Sequence, residues 1–149
     1  MRLVLGLNKG FTLIELLLVI AIMGIVFSSA TPFYSRFLHQ NSVSVAAFSL
    51  SSYLRRAQFN AMMSINNSSW GVAYQSSKII LFQGASYASR NPAFDEVFAV
   101  SPSVNISGLT EVVFQRKTGL PQTTPTITIS SIGTTKVITI NSQGVVELQ

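Results

Sequence analysis

Residues able to do chemistry are scarce in this sequence. Cysteine is absent, which excludes a disulfide framework and any metal site built on thiolates. Histidine occurs once, as His39, aspartate occurs once, as Asp95, and charged residues make up only 10% of the chain. The sequence has no phosphate-binding glycine loop, no zinc-ligand spacing and no nucleophile elbow. We therefore predict a protein that is no enzyme and that uses no cofactor and no metal.

Hydrophobic residues, by contrast, are abundant. They account for 48% of the 149 residues, and the mean hydropathy is +0.43. This composition suits one membrane helix followed by one compact domain, and it leaves no room for a second domain.

The longest apolar run, residues 16–27, directly follows the stretch Lys9-Gly10-Phe11-Thr12-Leu13-Ile14-Glu15. A helix that is hydrophobic on every side has no polar face for water, so it must be buried in protein or lipid. Glu15 is the anomaly, because a carboxylate at membrane depth costs a few kcal/mol and calls for a partner or a role.

The six residues Gly10-Phe11-Thr12-Leu13-Ile14-Glu15, with the apolar run behind them, resemble the prepilin signal of type IV pilins and type II secretion pseudopilins. The resemblance implies that a prepilin peptidase cuts after Gly10 and that the new N-terminus, Phe11, is methylated. It makes Glu15 the assembly residue, and it implies a mature chain of 149 − 10 = 139 residues. The freed amine of a neighbouring subunit can then neutralise Glu15 inside an apolar bundle.

Two other interpretations compete with this one. A secretory signal also has a basic start and an apolar core and ends in small residues such as Ser28-Ser29-Ala30, but its core is normally free of charge, unlike Glu15. A plain membrane anchor is the second alternative, because residues 11–34 form a helix of about 36 Å, enough to cross a bilayer of about 30 Å.

The basic residues Arg2 and Lys9 precede the apolar run, which places the N-terminus in the cytoplasm and the rest of the chain outside. We predict a leader over residues 1–10, a transmembrane and assembly helix over residues 11–35, and a head over residues 36–149. Pro32 should bend the helix without ending it, since it removes one backbone donor. In a bacterium the chain would be a single-pass inner-membrane protein, in contact with membrane lipid and with a periplasmic head, before it joins a pilus or pseudopilus.

The head shows a change of pattern from helix to strands. Apolar residues recur at helical spacing between residues 40 and 64, and the polar cluster at residues 66–69 should end that helix. Short alternating runs then predict strands at residues 70–75, 78–83, 97–101, 111–116, 126–131, 136–141 and 145–148, with a long surface loop at residues 85–96. The clearest hairpin joins the fifth and sixth of these through Gly133-Thr134. We expect a core that includes Leu50, Leu54, Ala57, Trp70, Val72, Ile80, Phe82, Val113, Ile138 and Ile140.

This order resembles pilin architecture: an α+β fold whose long N-terminal helix, membrane-spanning and then amphipathic, packs on an antiparallel β-sheet head. The segments at residues 54–61, 70–72, 114–119 and 138–146 resemble the GspH/FimT group of minor pilins and pseudopilins. The resemblance implies a structural subunit that is assembled into, or at the tip of, a type IV pilus or a type II secretion pseudopilus through its N-terminal helix. Its partners would be the prepilin peptidase and other pilin or pseudopilin subunits.

An alternative function is DNA binding during uptake, which some members of this subgroup perform. Candidate phosphate contacts are Lys78, Arg90, Arg116, Lys117 and Lys136. The total charge of +5 falls to 5 − 2 = +3 once Arg2 and Lys9 leave with the leader, which is a mild excess. DNA-binding relatives carry arginines near the last glycine, whereas residues 144–149 of this chain contain no basic residue. An ordinary solvated surface accounts for the dispersed basic residues.

Overall fold

The structure is a computed structural model that describes the backbone of residues 10–149 and the side chains of residues 10–28 and 37–149. The first nine residues of the predicted leader lie outside the described residues. The chain divides into two compact units, Met1–Ser35 and Arg36–Gln149, and the helix α1, Leu13–Met62, runs through both. Each unit is described by itself.

The first unit contains the start of α1. The helix begins at Leu13, two residues later than Phe11, because Thr12 caps it: the Glu15 N–H donates to Thr12 Oγ1 at 3.3 Å. Every described side chain from residue 10 to residue 28 is exposed. Among the described residues, no helix is both long enough and apolar enough to span a membrane. Pro32 lies within α1, its side chain is not among those described, and the bend expected there stays a prediction.

The part of α1 in the second unit buries one face. The predicted stripe is confirmed, because the residues at helical spacing are buried: Val43, Ala47, Leu50, Leu54, Ala57 and Ala61. The helix ends at Met62, slightly before the polar cluster, and a 3₁₀ turn follows at Ile65–Asn67. Ser64, with a φ of 52°, turns the chain between the two helices.

The strands of the second unit are β1 Trp70–Gln75, β2 Lys78–Gln83, β3 Asn91–Ala99, β4 Asn105–Ser107, β5 Glu111–Phe114, β6 Thr126–Ser131, β7 Thr134–Ile140 and β8 Val146–Leu148. They form two four-stranded sheets with the orders β3-β2-β1-β5 and β4-β6-β7-β8, and all pairings are antiparallel. The bounds of β1, β2 and β6 match the predicted strands residue for residue. The predicted α+β fold is therefore confirmed.

Two predictions about strands were wrong. Residues 91–96 were expected in a surface loop but belong to β3, which pairs with β2 across a bulge between Leu81 and Gln83. The strand lies at a sheet edge, where one side faces solvent, so Pro92 and polar residues are tolerated there. The short edge strand β4 was not predicted at all, because three residues give too little alternation to detect.

All ten residues expected in the core are buried, but they belong to two clusters. The larger cluster lies between α1 and the sheets, and it includes Leu50, Leu54, Phe114 and Ile138. A smaller cluster contains Ala73, Ile80, Phe82 and Val113, with Tyr87 packed against them. Since neighbouring residues of a strand face opposite sides, the smaller cluster lies on the face of the first sheet that points away from the main core.

Candidate assembly site and head surface

The N-terminal segment presents one carboxylate among exposed apolar side chains. Glu15 lies in the first turn of α1, four residues after Phe11, and Thr12 caps that turn. A helix N-terminus favours a negative charge, because its free N–H groups carry partial positive charge. Among the described side chains, those of residues 10–28 and 37–149, no basic group pairs with Glu15. The carboxylate and the apolar segment behind it are therefore both available to a partner.

The apolar surface of this segment is continuous along the described helix. Leu13 is 79% exposed, Phe27 is 72% exposed, and the large apolar residues between them are exposed as well. Burying each such side chain fully is worth about 1.5–3 kcal/mol, so the segment gains most of its stability from whatever covers it.

A second feature is a set of hydrogen bonds from the polar side of α1 to backbone carbonyls in two loops of the head and at the start of β8, which we call the helix–loop clamp. Arg55 Nη2 donates to the carbonyl oxygen of Val146 at 3.1 Å. Gln58 Nε2 donates to the carbonyl oxygens of Gly119 at 3.3 Å and Gln143 at 3.1 Å. The clamp joins three of the segments on which the GspH/FimT resemblance rests.

The sequence did not single out Arg55 and Gln58 as contact residues. The signal available was their position inside one of the resembling segments, but their residue types are equally typical of a solvated helix face. Only the fold brings the carbonyls of residues 119, 143 and 146 within reach.

The turn after β5 closes the C-terminal end of α1. The N–H of Lys117 donates to the carbonyl oxygen of Ala61 at 2.9 Å, and the same oxygen also accepts the N–H of Ser64 at 3.0 Å where the helix ends. Arg116 Nη1 donates to the carbonyl oxygen of Asn67 at 3.0 Å and also to the Asn67 side chain. Arg116 is thus engaged in local structure, and it sits where the helix dipole favours a cation.

Arg90 is also engaged within the head. Its Nε lies 2.8 Å from Asp95 Oδ2, its Nη1 donates to the carbonyl oxygen of Tyr87 at 2.9 Å, and its guanidinium lies 3.8 Å from the centre of the Tyr87 ring. The hydrogen bond to Asp95 raises the pKa of Arg90 above its ordinary value. These contacts hold the loop that covers the smaller cluster.

The structure does not bring the five candidate DNA contacts together. Lys78 pairs with Gln75 at one end of β1, whereas Arg116 and Lys117 follow the strand that pairs with Trp70 at the other end, about 17 Å away along the strand. Lys136 lies in the second sheet, opposite Ile129. With Arg90 already paired, the geometry gives the DNA-binding alternative no support, and those contacts stay a prediction.

Three of the four acidic residues of the head, Asp95, Glu96 and Glu111, make contacts within it. Asp95 pairs with Arg90, and its neighbour Glu96 pairs with Arg56 at 2.7 Å. Glu111 accepts the N–H of Tyr87 at 2.7 Å. In the part of the chain that the structure describes, no group of three or more His, Asp or Glu side chains could hold a metal ion.

Comparison with known proteins gives two independent findings. A family model described as the prokaryotic N-terminal methylation motif matches residues 6–31. Two solved structures of the minor pseudopilin EpsH, from the Type 2 Secretion System of Vibrio cholerae, resemble the chain in fold. The first is 14% identical with a TM-score of 0.55 and covers 72% of this chain and 96% of its own. The second is 13% identical with a TM-score of 0.54 and covers 73% and 94%.

The motif match falls on the stretch that resembles a prepilin signal, and the structural match agrees with the predicted architecture of a long helix and antiparallel sheets. At this level of identity the EpsH structures establish the fold, and the GspH/FimT subgroup stays a prediction. The N-terminal methylation motif and the pilin-like fold together support assignment of this chain to the type IV pilin and pseudopilin superfamily.

Proposed function

We propose that the chain is a minor pilin or pseudopilin, a structural subunit that is processed at its N-terminus, held in the membrane, and assembled into a filament through α1. The observation that carries the proposal is the exposed apolar segment of α1, which bears a single carboxylate and lies within the match to the methylation motif at residues 6–31. The filament is a type IV pilus or a type II secretion pseudopilus, which share this chemistry.

The proposal assigns each residue of the N-terminal stretch a role. Prepilin peptidase cuts after Gly10, Phe11 becomes the methylated N-terminus, and residues 11–35 cross the inner membrane with the head in the periplasm. The apolar side chains of the segment then face lipid before assembly and neighbouring subunits after it, because an exposed surface of this kind is unfavourable in water.

Glu15 would add one polar contact to this apolar association. Apolar contacts are non-directional, so they do not determine how far one helix slides along another. The amine of Phe11 on a neighbouring subunit would neutralise the Glu15 carboxylate at only one offset between the helices. Glu15 then sets the register of assembly.

The processing step is tested by mass spectrometry of the protein from membranes. We expect a first peptide that starts at Phe11 and carries one added methyl group. Substituting Gly10 by a bulkier residue should block the cut, because the peptidase must approach the backbone closely at a residue without a side chain. A chain that starts at Thr31 would establish a secretory signal, and one that starts at Met1 would establish an uncleaved anchor.

The assembly step is tested with Glu15→Ala and Glu15→Asp. We expect the alanine variant to insert and to be cleaved normally but to be depleted in sheared or cross-linked filaments, with the aspartate variant intermediate because its reach is shorter. Glu147→Ala is the matched control, since Glu147 is an exposed carboxylate of the head. Wild-type incorporation of Glu15→Ala would remove Glu15 from its assigned role.

Neighbouring genes discriminate the two filament types. Genes for a secretion channel favour a pseudopilus, whereas genes for twitching or competence favour a pilus.

A further inference from the structure

The turn between β6 and β7 carries an apolar side chain at its tip. The loop has two residues, Ile132 and Gly133, because Ser131 pairs with Thr134. Ile132 is 74% exposed, which makes it one of the most exposed large apolar residues of the head. Turn positions are normally taken by polar residues or glycine, so an isoleucine here calls for a surface that it can contact.

The turn is fastened to α1. Ser131 Oγ donates to the carbonyl oxygen of Ser103 at 2.7 Å, and it lies 3.1 Å from His39 Nδ1. Since the hydroxyl gives its only proton to Ser103, His39 Nδ1–H is the donor of the second bond. The bond to His39 holds the base of the turn against the helix, and the bond to Ser103 ties it to the segment between β3 and β4, so the position of Ile132 is determined by the fold.

This end of the head is the end at which the chain enters it. The head unit begins at Arg36, three residues before His39, which is about 4.5 Å of helix. Two further apolar side chains stand exposed on the same helical turn, Phe37 at 64% and Leu38 at 45%. A crevice of about 380 Å³ separates the turn from the helix and is lined by Gln40, Ile132, Gly133 and Thr134.

The charged side chains of the two segments at this end are of one sign. Neither residues 36–46 nor residues 126–136 contain an aspartate or a glutamate. Lys136 is the third residue after the turn, and the sequence places Arg36 where the head begins. Basic residues next to exposed apolar side chains are the combination that binds an anionic lipid surface.

We propose that this end of the head docks on the membrane surface, with Ile132, Phe37 and Leu38 in the headgroup region and Lys136 beside anionic headgroups. The proposal rests on the proposed membrane anchoring of residues 11–35, because the anchor delivers this end of the head to the bilayer. Docking would hold the head in one orientation before assembly and would have to be released when the subunit joins a filament.

The absence of cysteine allows a direct test, since one introduced cysteine takes a spin label at a single position. The full-length protein is placed in vesicles of phosphatidylethanolamine and phosphatidylglycerol with a label at Ile132→Cys. The rate at which the spin label collides with oxygen, which concentrates in lipid, is compared with the rate at which it collides with a water-soluble nickel complex. Ser142→Cys is the matched control, because Ser142 is exposed in the turn between β7 and β8, at the opposite end of the same sheet. Ile22→Cys reports the anchor.

We expect the ratio of oxygen to nickel collisions to be several-fold higher at position 132 than at position 142, and higher still at position 22. A ratio at 132 equal to that at 142, with lipid exposure at 22, would overturn the docking and leave the anchor intact. An aqueous label at 22 would instead overturn the proposed anchoring.

Contact with a second copy of the chain is the competing explanation for a label at position 132 that is protected from the nickel complex. If the protection at position 132 disappears when the protein is diluted in lipid, the surface is an interface between copies and the lipid proposal is wrong. If the protection persists on dilution but falls in vesicles without phosphatidylglycerol, both the apolar and the basic parts of the proposal hold.

Discussion

Replacing Gly144 by alanine tests the helix–loop clamp. Gly144 has a φ of +81°, and a Cβ atom built on it would lie 2.3 Å from Gln58 Nε2 and 2.9 Å from the carbonyl oxygen of Gly119. The methyl group would therefore occupy the place of the Gln58 amide and force it away from both of its acceptors. Gly133 is the matched control, because its φ of +74° is similar but a Cβ there would meet no atom within 4 Å.

The costs of the two substitutions should differ by at least the contribution of the two Gln58 hydrogen bonds. Both pay the cost of an alanine in the left-handed region, about 1 kcal/mol. Gly144→Ala also loses the two Gln58 hydrogen bonds, at about 1 kcal/mol each, which brings its total to about 3 kcal/mol. That is a large part of the 5–15 kcal/mol that typically stabilises a domain of this kind.

The measurement is urea denaturation of the full-length protein in detergent, followed by fluorescence of Trp70. Trp70 is the one tryptophan, it is buried in β1, and its Nε1 donates to Ile65. In a Gln58→Ala background, Gly144→Ala should cost about 2 kcal/mol less than in the wild type. The new methyl group crowds the Gly119 carbonyl in the wild type and in the Gln58→Ala variant alike, so this contribution cancels when the two costs are subtracted. Equal costs for Gly144→Ala and Gly133→Ala in the wild type would refute the reasoning.

Three further outcomes follow from the same geometry. Ser77→Gly should stabilise the protein by about 1 kcal/mol and raise the urea midpoint, because Ser77 has a φ of 58° in a two-residue turn; a lowered midpoint would contradict this. Phe82→Ala should cost about 3 kcal/mol and speed trypsin cleavage after Arg90, whose loop rests on the smaller cluster; unchanged cleavage would separate the loop from that cluster. Arg56→Ala should cost less than about 1 kcal/mol, and less still in high salt, since both it and Glu96 are about half exposed; a larger loss would mean that the pair does more than bridge the surface.

The strands that the sequence predicted correctly share a physical reason. In β1, β2 and β6, β-branched and aromatic residues run between clear turn residues, so local pattern and final structure agree. The hairpin of β6 and β7 was confirmed because Ile127, Ile129, Ile138 and Ile140 point to one side and are all buried. Local information was sufficient both for β6, where burial alternates, and for β1 and β2, where most residues are buried on both faces.

The edge strand β3 shows where local information was insufficient. Its nine residues include Pro92, Asp95 and Glu96 and are mostly exposed or half-buried, so the hydrophobic pattern is weak. Pairing with β2 along one side stabilises it instead. That pairing depends on the position of the neighbouring strand, which the pattern of residues 91–99 does not contain.

The smaller cluster left a signal in the sequence that the predicted core did not use. The run Ile79-Ile80-Leu81-Phe82 has no polar residue between its apolar ones, which is typical of a strand buried on both faces. Ile79 and Leu81 face the main core, while Ile80 and Phe82 face the smaller cluster. Which residues are buried was thus predictable from the sequence. Their division between the two faces of the sheet follows from the alternation of side chains along a strand.

The polar contacts of α1 could not have been predicted from the sequence, yet they place the helix. The apolar stripe can slide along the sheets at little cost, because apolar burial has no direction. Hydrogen bonds at two points remove that freedom: His39 binds one end of the second sheet, and Arg55 and Gln58 bind loops at its other end, about 28 Å further along the helix. Each of these residues is of a type that is typical of a solvated helix face. Its role depends on a partner between 61 and 92 residues away in the sequence. The apolar residues therefore determine that the helix packs on the second sheet, and the polar residues determine at which offset it does so.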